Sequence, residues 1–167
     1  MLEKLLSKET CKNCKFCCSF RKKSLWETPL FSKEQKKTLQ EKYQFAKFKN
    51  ISENVFTIDL DNSYKTKNPE EESSCYFLNK NKGCILTNEE KPFDCSIWPF
   101  RLMRYKENLV IALTPTCPAI NKIKIETIRD YILESLGKKI FEYGKKNPFI
   151  IKEYKLDFPI IIEEKDI

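Results

Sequence analysis

Residues 11–18 read CKNCKFCC, which places four of the chain's eight cysteines within a single short stretch. Their spacing is C-x2-C-x2-C-C, and the other four cysteines follow at positions 75, 84, 95 and 117. A C-x2-C turn lets two sulfurs converge on one centre. Three cysteines at this spacing can present three thiolates to one face of an iron–sulfur cube, as in bacterial ferredoxins. The stretch therefore predicts a cysteine-ligated metal centre around which the fold is organised.

The adjacent pair Cys17 and Cys18 decides how many centres are expected. Neighbouring side chains usually diverge, so two adjacent sulfurs seldom serve the same tetrahedral ion. We predict that Cys17 completes a set with Cys11 and Cys14, while Cys18 faces elsewhere. Two four-cysteine sites would then use every cysteine, and the alternative is one such site plus four buried or reactive thiols. The candidate ligands are Cys11, Cys14, Cys17, Cys18, Cys75, Cys84, Cys95 and Cys117.

The nature of the metal is limited by the complete lack of histidine. Ligation by cysteine alone suits iron–sulfur clusters and structural zinc alike. The C-x2-C-x2-C triple favours one or two 4Fe–4S clusters, because plain zinc sites more often use two separated C-x2-C pairs and this chain has no second pair. Zinc is therefore the alternative cofactor.

The compartment bears on this interpretation, because thiols stay reduced in the cytoplasm and form disulfides outside it. The first ten residues, MLEKLLSKET, carry charges among their leucines and so lack the apolar stretch of a signal peptide. The longest apolar runs, such as LVIAL at 109–113, are far shorter than the roughly 18 residues that a membrane span needs. The sequence predicts a cytoplasmic protein without a membrane segment, whose cysteines bind metal in preference to forming disulfides.

The composition disfavours several other classes of function. The net charge is +7, but only four of the 31 basic residues are arginine, and the lysines are mixed with glutamates as on an ordinary surface. Because arginine is the preferred side chain for bidentate contacts with bases and phosphates, we expect no nucleic-acid partner. Three glycines cannot form a glycine-rich phosphate loop, and without histidine the chain cannot build Ser–His or Cys–His pairs. Whether it is an enzyme stays open.

Hydrophobic patterning predicts an α+β fold: one small domain over residues 1–167, with helices packed on short antiparallel hairpins around the cysteine-ligated core. The cysteine stretch is expected to be a loop to about residue 21. Ser32 and Gln35 form a capping box for a helix that runs to about Lys49. The other expected elements are a strand in 54–60, a loop over 61–74, hairpins in 75–86 and 101–113, an amphipathic helix from 121 to about 144, and an edge strand in the tail from 154.

Four segments, CKNCKFCC, CYFLNKNKGCIL, KPFDCSIWPF and CPAI, occur in the order found in the CxxCxxCC (YkgJ-type) cysteine-cluster family, which the chain resembles over residues 11–120. That family is described as zinc- or iron-chelating, so the resemblance implies cysteine-bound metal. The family usually reads Arg-Pro-x-x-Cys-Arg at its third segment, whereas this chain has Lys91 and Ser96 at the arginine positions. The C-terminal helix and tail, residues 121–167, lie outside the resemblance.

Three hypotheses for function follow from these observations. The first is a redox or cluster-dependent protein, in which 4Fe–4S clusters exchange electrons with a partner protein that acts as donor or acceptor. The second is a structural zinc module that mediates protein interactions. The third and weakest is an enzyme that modifies protein side chains, because the family is related to the flagellin lysine N-methylase. The chain is short and has no recognisable S-adenosylmethionine loop, so that activity is not carried over.

Overall fold

A computed structural model describes residues 2, 4–14, 16–22, 24 and 26–167 and combines short helices with small β-sheets. The chain packs into two compact units, one formed by residues 8–96 and the other by residues 1–7 together with 97–167. The predicted α+β class is confirmed. The prediction of one domain over the whole chain stays a prediction.

The unit formed by residues 8–96 is built from very short strands. Its elements are α1 (Lys8–Cys14), β1 (Ser19–Arg21), β2 (Leu30–Ser32), α2 (Lys33–Lys42), β3 (Phe48–Ser52), β4 (Val55–Ile58), β5 (Glu72–Ser74), β6 (Leu78–Asn79), β7 (Gly83–Cys84) and the start of α3 (Phe93–Ile97). The strands form three antiparallel sheets, ordered β1-β5, β2-β4-β3 and β6-β7. An apolar cluster in which Phe31, Ile58 and Phe77 are almost fully buried holds the unit together.

Helix α2 begins at the residue that the sequence predicts. The Ser32 side chain accepts a hydrogen bond from the Gln35 amide, and the Gln35 side chain accepts one from the Ser32 amide, so the capping box is confirmed. The helix ends at Lys42, however, and not near Lys49. The chain beyond it must run extended beside β4, where the Asp59 amide donates to the Lys47 carbonyl over 2.8 Å.

The unit formed by residues 1–7 and 97–167 contains one larger sheet. Its elements are β8 (Phe100–Tyr105), β9 (Asn108–Leu113), α4 (Ile125–Tyr131), a π-helical turn (Ile132–Leu136), α5 (Gly137–Lys146), β10 (Lys152–Glu153) and β11 (Ile160–Glu163). The strand order is β10-β8-β9-β11, and β10 runs parallel to β8 while the other pairs are antiparallel. The predicted hairpin in 101–113 and the predicted edge strand in the tail are confirmed.

The C-terminal helix differs from the sequence prediction at both of its ends. It begins at Ile125, four residues later than predicted, and it continues past Gly144 to Lys146. Gly144 is buried inside the helix, where an added Cβ would lie 2.0 Å from Leu102 Cδ2. The glycine therefore allows the helix to approach β8 closely, and the prediction that it ends the helix is wrong.

Two further local predictions have mixed outcomes. The strand in 54–60 is confirmed as β4, and the hairpin in 75–86 is confirmed as β6–β7, although its strands begin at Leu78 and Gly83. The expected loop over 61–74 contains β5, which the sequence did not predict because Glu72–Ser74 is polar throughout. No helix in the part of the chain that the structure describes is long and apolar enough to cross a membrane.

Candidate metal centre

The CKNCKFCC stretch is partly helical and not the predicted loop; Lys15, in its middle, lies outside the described residues. Helix α1 carries Cys11 and Cys14, and a short 3₁₀ turn over Phe16–Cys18 carries Cys17 and Cys18. Residues three apart on a helix lie on the same face, so the C-x2-C spacing sets Cys11 and Cys14 side by side along α1. Both of these side chains are exposed.

The ladder between β1 and β5 brings Cys75 beside the cysteine stretch. Its register pairs Ser19 with Ser74, and the Cys75 amide donates a hydrogen bond of 2.7 Å to the Cys18 carbonyl. Two cysteines that are 57 residues apart in sequence are thus neighbours across two strands. No local pattern predicts this contact, because each strand is only three residues long and β5 is polar throughout.

The hairpin β6–β7 positions Cys84 and contacts helix α1. Gly83 precedes Cys84 with φ of 76°, a backbone conformation that favours glycine. A Cβ added at Gly83 would lie 3.4 Å from Lys12 Cα, an ordinary contact distance, which shows that the hairpin lies against the helix. The turn therefore places Cys84 next to the helix that carries Cys11 and Cys14.

Helix α3 carries Cys95, three residues after Pro92. The Cys95 amide donates to the Pro92 carbonyl over 3.0 Å, which closes the first turn of α3. Asp94 beside it is only 2% exposed, an unusual position for a carboxylate. Cys95 itself is exposed.

The Cys18 thiol is the most strongly perturbed group of this site. A hydrogen bond with the Cys17 side chain contributes most to raising the pKa of Cys18, and burial raises it further. The negative charges of Cys17, Cys75 and Cys95, when these are deprotonated, act in the same direction. Cys18 therefore lies close enough to all three to feel their charge, and in the absence of a cation it retains its proton.

Cys75 and Cys84 share a combination of burial and a backbone amide that donates to the sulfur. Burial raises the pKa of the Cys75 thiol to about 12, while a hydrogen bond from the Phe77 amide opposes the shift. Burial also raises the pKa of Cys84, and there the Leu86 amide and the Lys91 charge oppose it. In both cases the amide two residues after the cysteine donates to its sulfur, a contact that stabilises a thiolate.

The structure thus brings together five of the predicted ligands in the unit formed by residues 8–96. Electrostatic interactions connect the sulfurs of Cys17, Cys18, Cys75, Cys84 and Cys95. Cys11 and Cys14 belong to the same unit through α1, whereas Cys117 belongs to the other unit, where its carbonyl accepts from the Asn121 amide over 3.0 Å. Among the described residues, no group of three or more cysteines or carboxylates is arranged to hold a metal ion. The ligand set of eight cysteines stays a prediction.

Comparisons of the chain with protein-family models, with curated proteins and with solved structures gave no match. The resemblance to the cysteine-cluster family therefore rests on the sequence motifs alone and stays a prediction. The geometry adds what the motifs could not: the amides of Phe77 and Leu86, and the strand pairing that sets Cys18 against Cys75.

Proposed function

We propose that this protein binds metal through its cysteines and holds one or two 4Fe–4S clusters that exchange electrons with a partner protein in the cytoplasm. The observation that supports this most directly is that five cysteines of one compact unit lie near enough for the charge of one to act on the pKa of another. Neutral thiols gain little stability from lying so close together. Clustered thiolates repel one another and are stable only when a cation offsets that repulsion, which is the role that a metal centre would fill.

The donor chemistry fits such a centre. The sulfur ligands would come from Cys17, Cys18, Cys75, Cys84 and Cys95, joined by the Cys11–Cys14 pair on α1. Amide donors at Phe77 and Leu86 stabilise negative charge on two of these sulfurs, as hydrogen bonds to cluster ligands do. An iron–sulfur cluster held there would supply one-electron redox chemistry.

The protein's own groups set the conditions for metal uptake. The Cys75 thiol is protonated at neutral pH and burial raises its pKa to about 12, so a metal must displace a tightly held proton when it binds. The same holds for Cys18, whose pKa is raised by its hydrogen bond with Cys17 and by burial. Metal affinity is therefore expected to rise with pH.

Structural zinc is a second candidate, and the small size of the sheets favours it. The strands that adjoin Cys18, Cys75 and Cys84 are two or three residues long, too short to be stable on their own. A zinc ion bound by these cysteines would stabilise the segment without redox activity. The unit would then serve as a scaffold for binding another protein.

Metal and sulfide analysis of protein purified without oxygen separates these candidates. We expect brown protein that contains iron and acid-labile sulfide in similar amounts. Colourless protein with stoichiometric zinc and no sulfide would establish the zinc alternative, and protein with neither metal would refute both.

Substitutions test which sulfurs take part. Cys75→Ser is expected to abolish metal retention, whereas Ser74→Ala, at the exposed neighbouring position of β5, should leave it unchanged. Full metal content in Cys75→Ser would contradict the proposed site. Cys117→Ser tests the one predicted ligand that lies in the other unit.

A further inference from the structure

Cys18 and Cys75 lie beside each other at the end of the β1–β5 ladder. The last pair of that ladder is Ser19 with Ser74, and just beyond it the Cys75 amide donates a hydrogen bond of 2.7 Å to the Cys18 carbonyl. The charge of Cys75 also acts to raise the pKa of Cys18, so the two side chains are within electrostatic reach of each other.

This pairing has the dimensions of a disulfide. In an antiparallel ladder, opposed residues that exchange hydrogen bonds have Cα atoms about 5.5 Å apart, and Cys18 and Cys75 directly follow the last pair of such a ladder. Disulfides span Cα distances of roughly 4.4–6.8 Å, and side chains of opposed residues lie on the same face of the ladder. A bond between the two sulfurs therefore requires rotation of side chains and little movement of the backbone.

We infer that Cys18 and Cys75 form a reversible disulfide when the protein meets a thiol-oxidising environment. Cys17 is the competing partner for Cys18, since the two side chains are hydrogen-bonded. Adjacent cysteines, however, close an eight-membered ring that distorts the peptide bond between them, whereas the cross-strand pair requires no such distortion. Cys84 also interacts electrostatically with Cys75, but its strand β7 pairs with β6.

A small disulfide such as oxidised glutathione is a sufficient oxidant. The Cys75 thiol gives its proton to solvent and the resulting thiolate attacks one glutathione sulfur, so that the glutathione S–S bond breaks and one glutathione thiolate leaves. Cys18 then loses its proton in the same way, and its sulfur attacks the Cys75 sulfur and expels the second glutathione thiolate. Because the pKa of both thiols is raised, these proton losses make the exchange slow at neutral pH. In total the two cysteines lose two electrons and two protons, and one glutathione disulfide becomes two glutathione thiols.

The inference goes beyond the proposed function, because the disulfide forms without any metal. It also bears on that function, since sulfurs joined to each other cannot ligate a metal. Reduced protein would bind metal and oxidised protein would carry the cross-strand bond, so oxidation would release the metal.

The test is an equilibrium redox titration of the full-length protein, first treated with chelator, in glutathione buffers of increasing oxidised fraction. After acid quenching, alkylation and tryptic digestion, the linked peptides are identified by mass spectrometry. Trypsin separates peptide 16–21, which contains Cys17 and Cys18, from peptide 68–80, which contains Cys75. We expect these two peptides to be linked in the wild type and in Cys17→Ser, and the link to be lost in Cys18→Ser.

Fragmentation of the linked wild-type peptides assigns the bond to Cys18 or Cys17 even if a variant fails to fold. A bond from Cys75 to any other cysteine, or no bond at Cys75 at any glutathione ratio, would overturn the inference. Metal analysis of the same preparation without chelator keeps the two ideas separate. If the peptides are linked but the protein contains no metal as purified, the proposed function is refuted and the disulfide inference stands.

Discussion

The two compact units differ in what stabilises them. In the unit with residues 97–167, β8 is buried at four consecutive positions, Phe100 to Met103, and helices α4 and α5 add isoleucines that are almost fully buried. In the unit formed by residues 8–96, β6 and β7 are two residues long, and four of its cysteines are exposed. Hydrophobic burial accounts for the first unit. The second has an apolar cluster of its own, which includes Phe20, Phe77 and Leu86 beside the cysteines, but its two- and three-residue strands need another source of stability.

Metal removal should give the largest difference between the units. Structural zinc contributes roughly 10–16 kcal/mol of apparent binding free energy in small peptides, more than most domains have in total stability. Treating the metal-loaded protein with chelator is therefore expected to abolish amide hydrogen-exchange protection at β1–β5 and β6–β7 while β8–β9 stays protected. As a control, amide protection should return when metal is added back. An equal loss of protection in both units, or no loss in either, would show that the two units do not differ in their dependence on metal.

A core truncation tests the other side of the comparison. Phe100 is fully buried in β8, so Phe100→Ala should cost about 3–5 kcal/mol in the free energy of unfolding. Urea denaturation followed by hydrogen exchange measures this loss in the unit with residues 97–167, called the sheet unit from here on. Leu156→Ala, at a position 82% exposed in the same unit, is the control and should have little effect. A loss below about 1 kcal/mol for Phe100→Ala would show that hydrophobic packing does not dominate that unit.

The sequence predicted the sheet unit better than the unit formed by residues 8–96, called the cysteine unit from here on, and the reason is physical. The hairpin β8–β9 and the tail strand β11 bury apolar side chains, and such patterns are visible in a single sequence. Strands β1 and β5 are three residues long and are fixed by long-range pairing, so local patterning could not reveal them. Gly144 misled for a related reason, since its role is set by Leu102 on another element.

The candidate site shows the same limit. The motif identified the cysteines, because clustered thiols without histidine have few other interpretations. Which sulfurs approach one another depended on the β1–β5 register and on the turn at Gly83. The helical structure of Lys8–Cys14 was missed, since the stretch has too few apolar residues to show a helical period.

The capping box of α2 measures how much ordinary local interactions add to the cysteine unit. Ser32→Ala removes the acceptor for the Gln35 amide and should cost about 1 kcal/mol. Thermal or urea denaturation of reduced, metal-loaded protein measures the change. Gln40→Ala, an exposed position on the same helix, serves as control. A loss well above 2 kcal/mol would mean that this unit depends on its helix more than on its metal.

The smallest expected effect is pH-dependent and involves Glu27 and Arg21. Burial acts to raise the pKa of Glu27, but hydrogen bonds from Arg21 outweigh it and lower the pKa below its usual value. Stability from this pair is therefore present above the unfolded pKa of about 4.3 and is lost as the pH falls through the lower folded value. Because Arg21 is partly exposed, Glu27→Gln should cost less than about 1 kcal/mol at pH 7.

Urea denaturation of wild type and Glu27→Gln between pH 3 and pH 7 tests this sign. The difference between them should shrink toward zero at the acid end, whereas Glu53→Gln, at an exposed position, should show little difference throughout. A difference that grows on acidification would contradict the assignment.

The four-stranded sheet has a consequence for synthesis on the ribosome. Both of its edges, β10 and β11, come from residues after 150, whereas the central hairpin is complete at Leu113. From Leu113 to Glu153 is 153 − 113 = 40 residues, so at about 5–20 residues per second the nascent hairpin waits roughly 2–8 s with two open edges. Open edges invite pairing with other chains, which makes this interval the one in which a chaperone would help most.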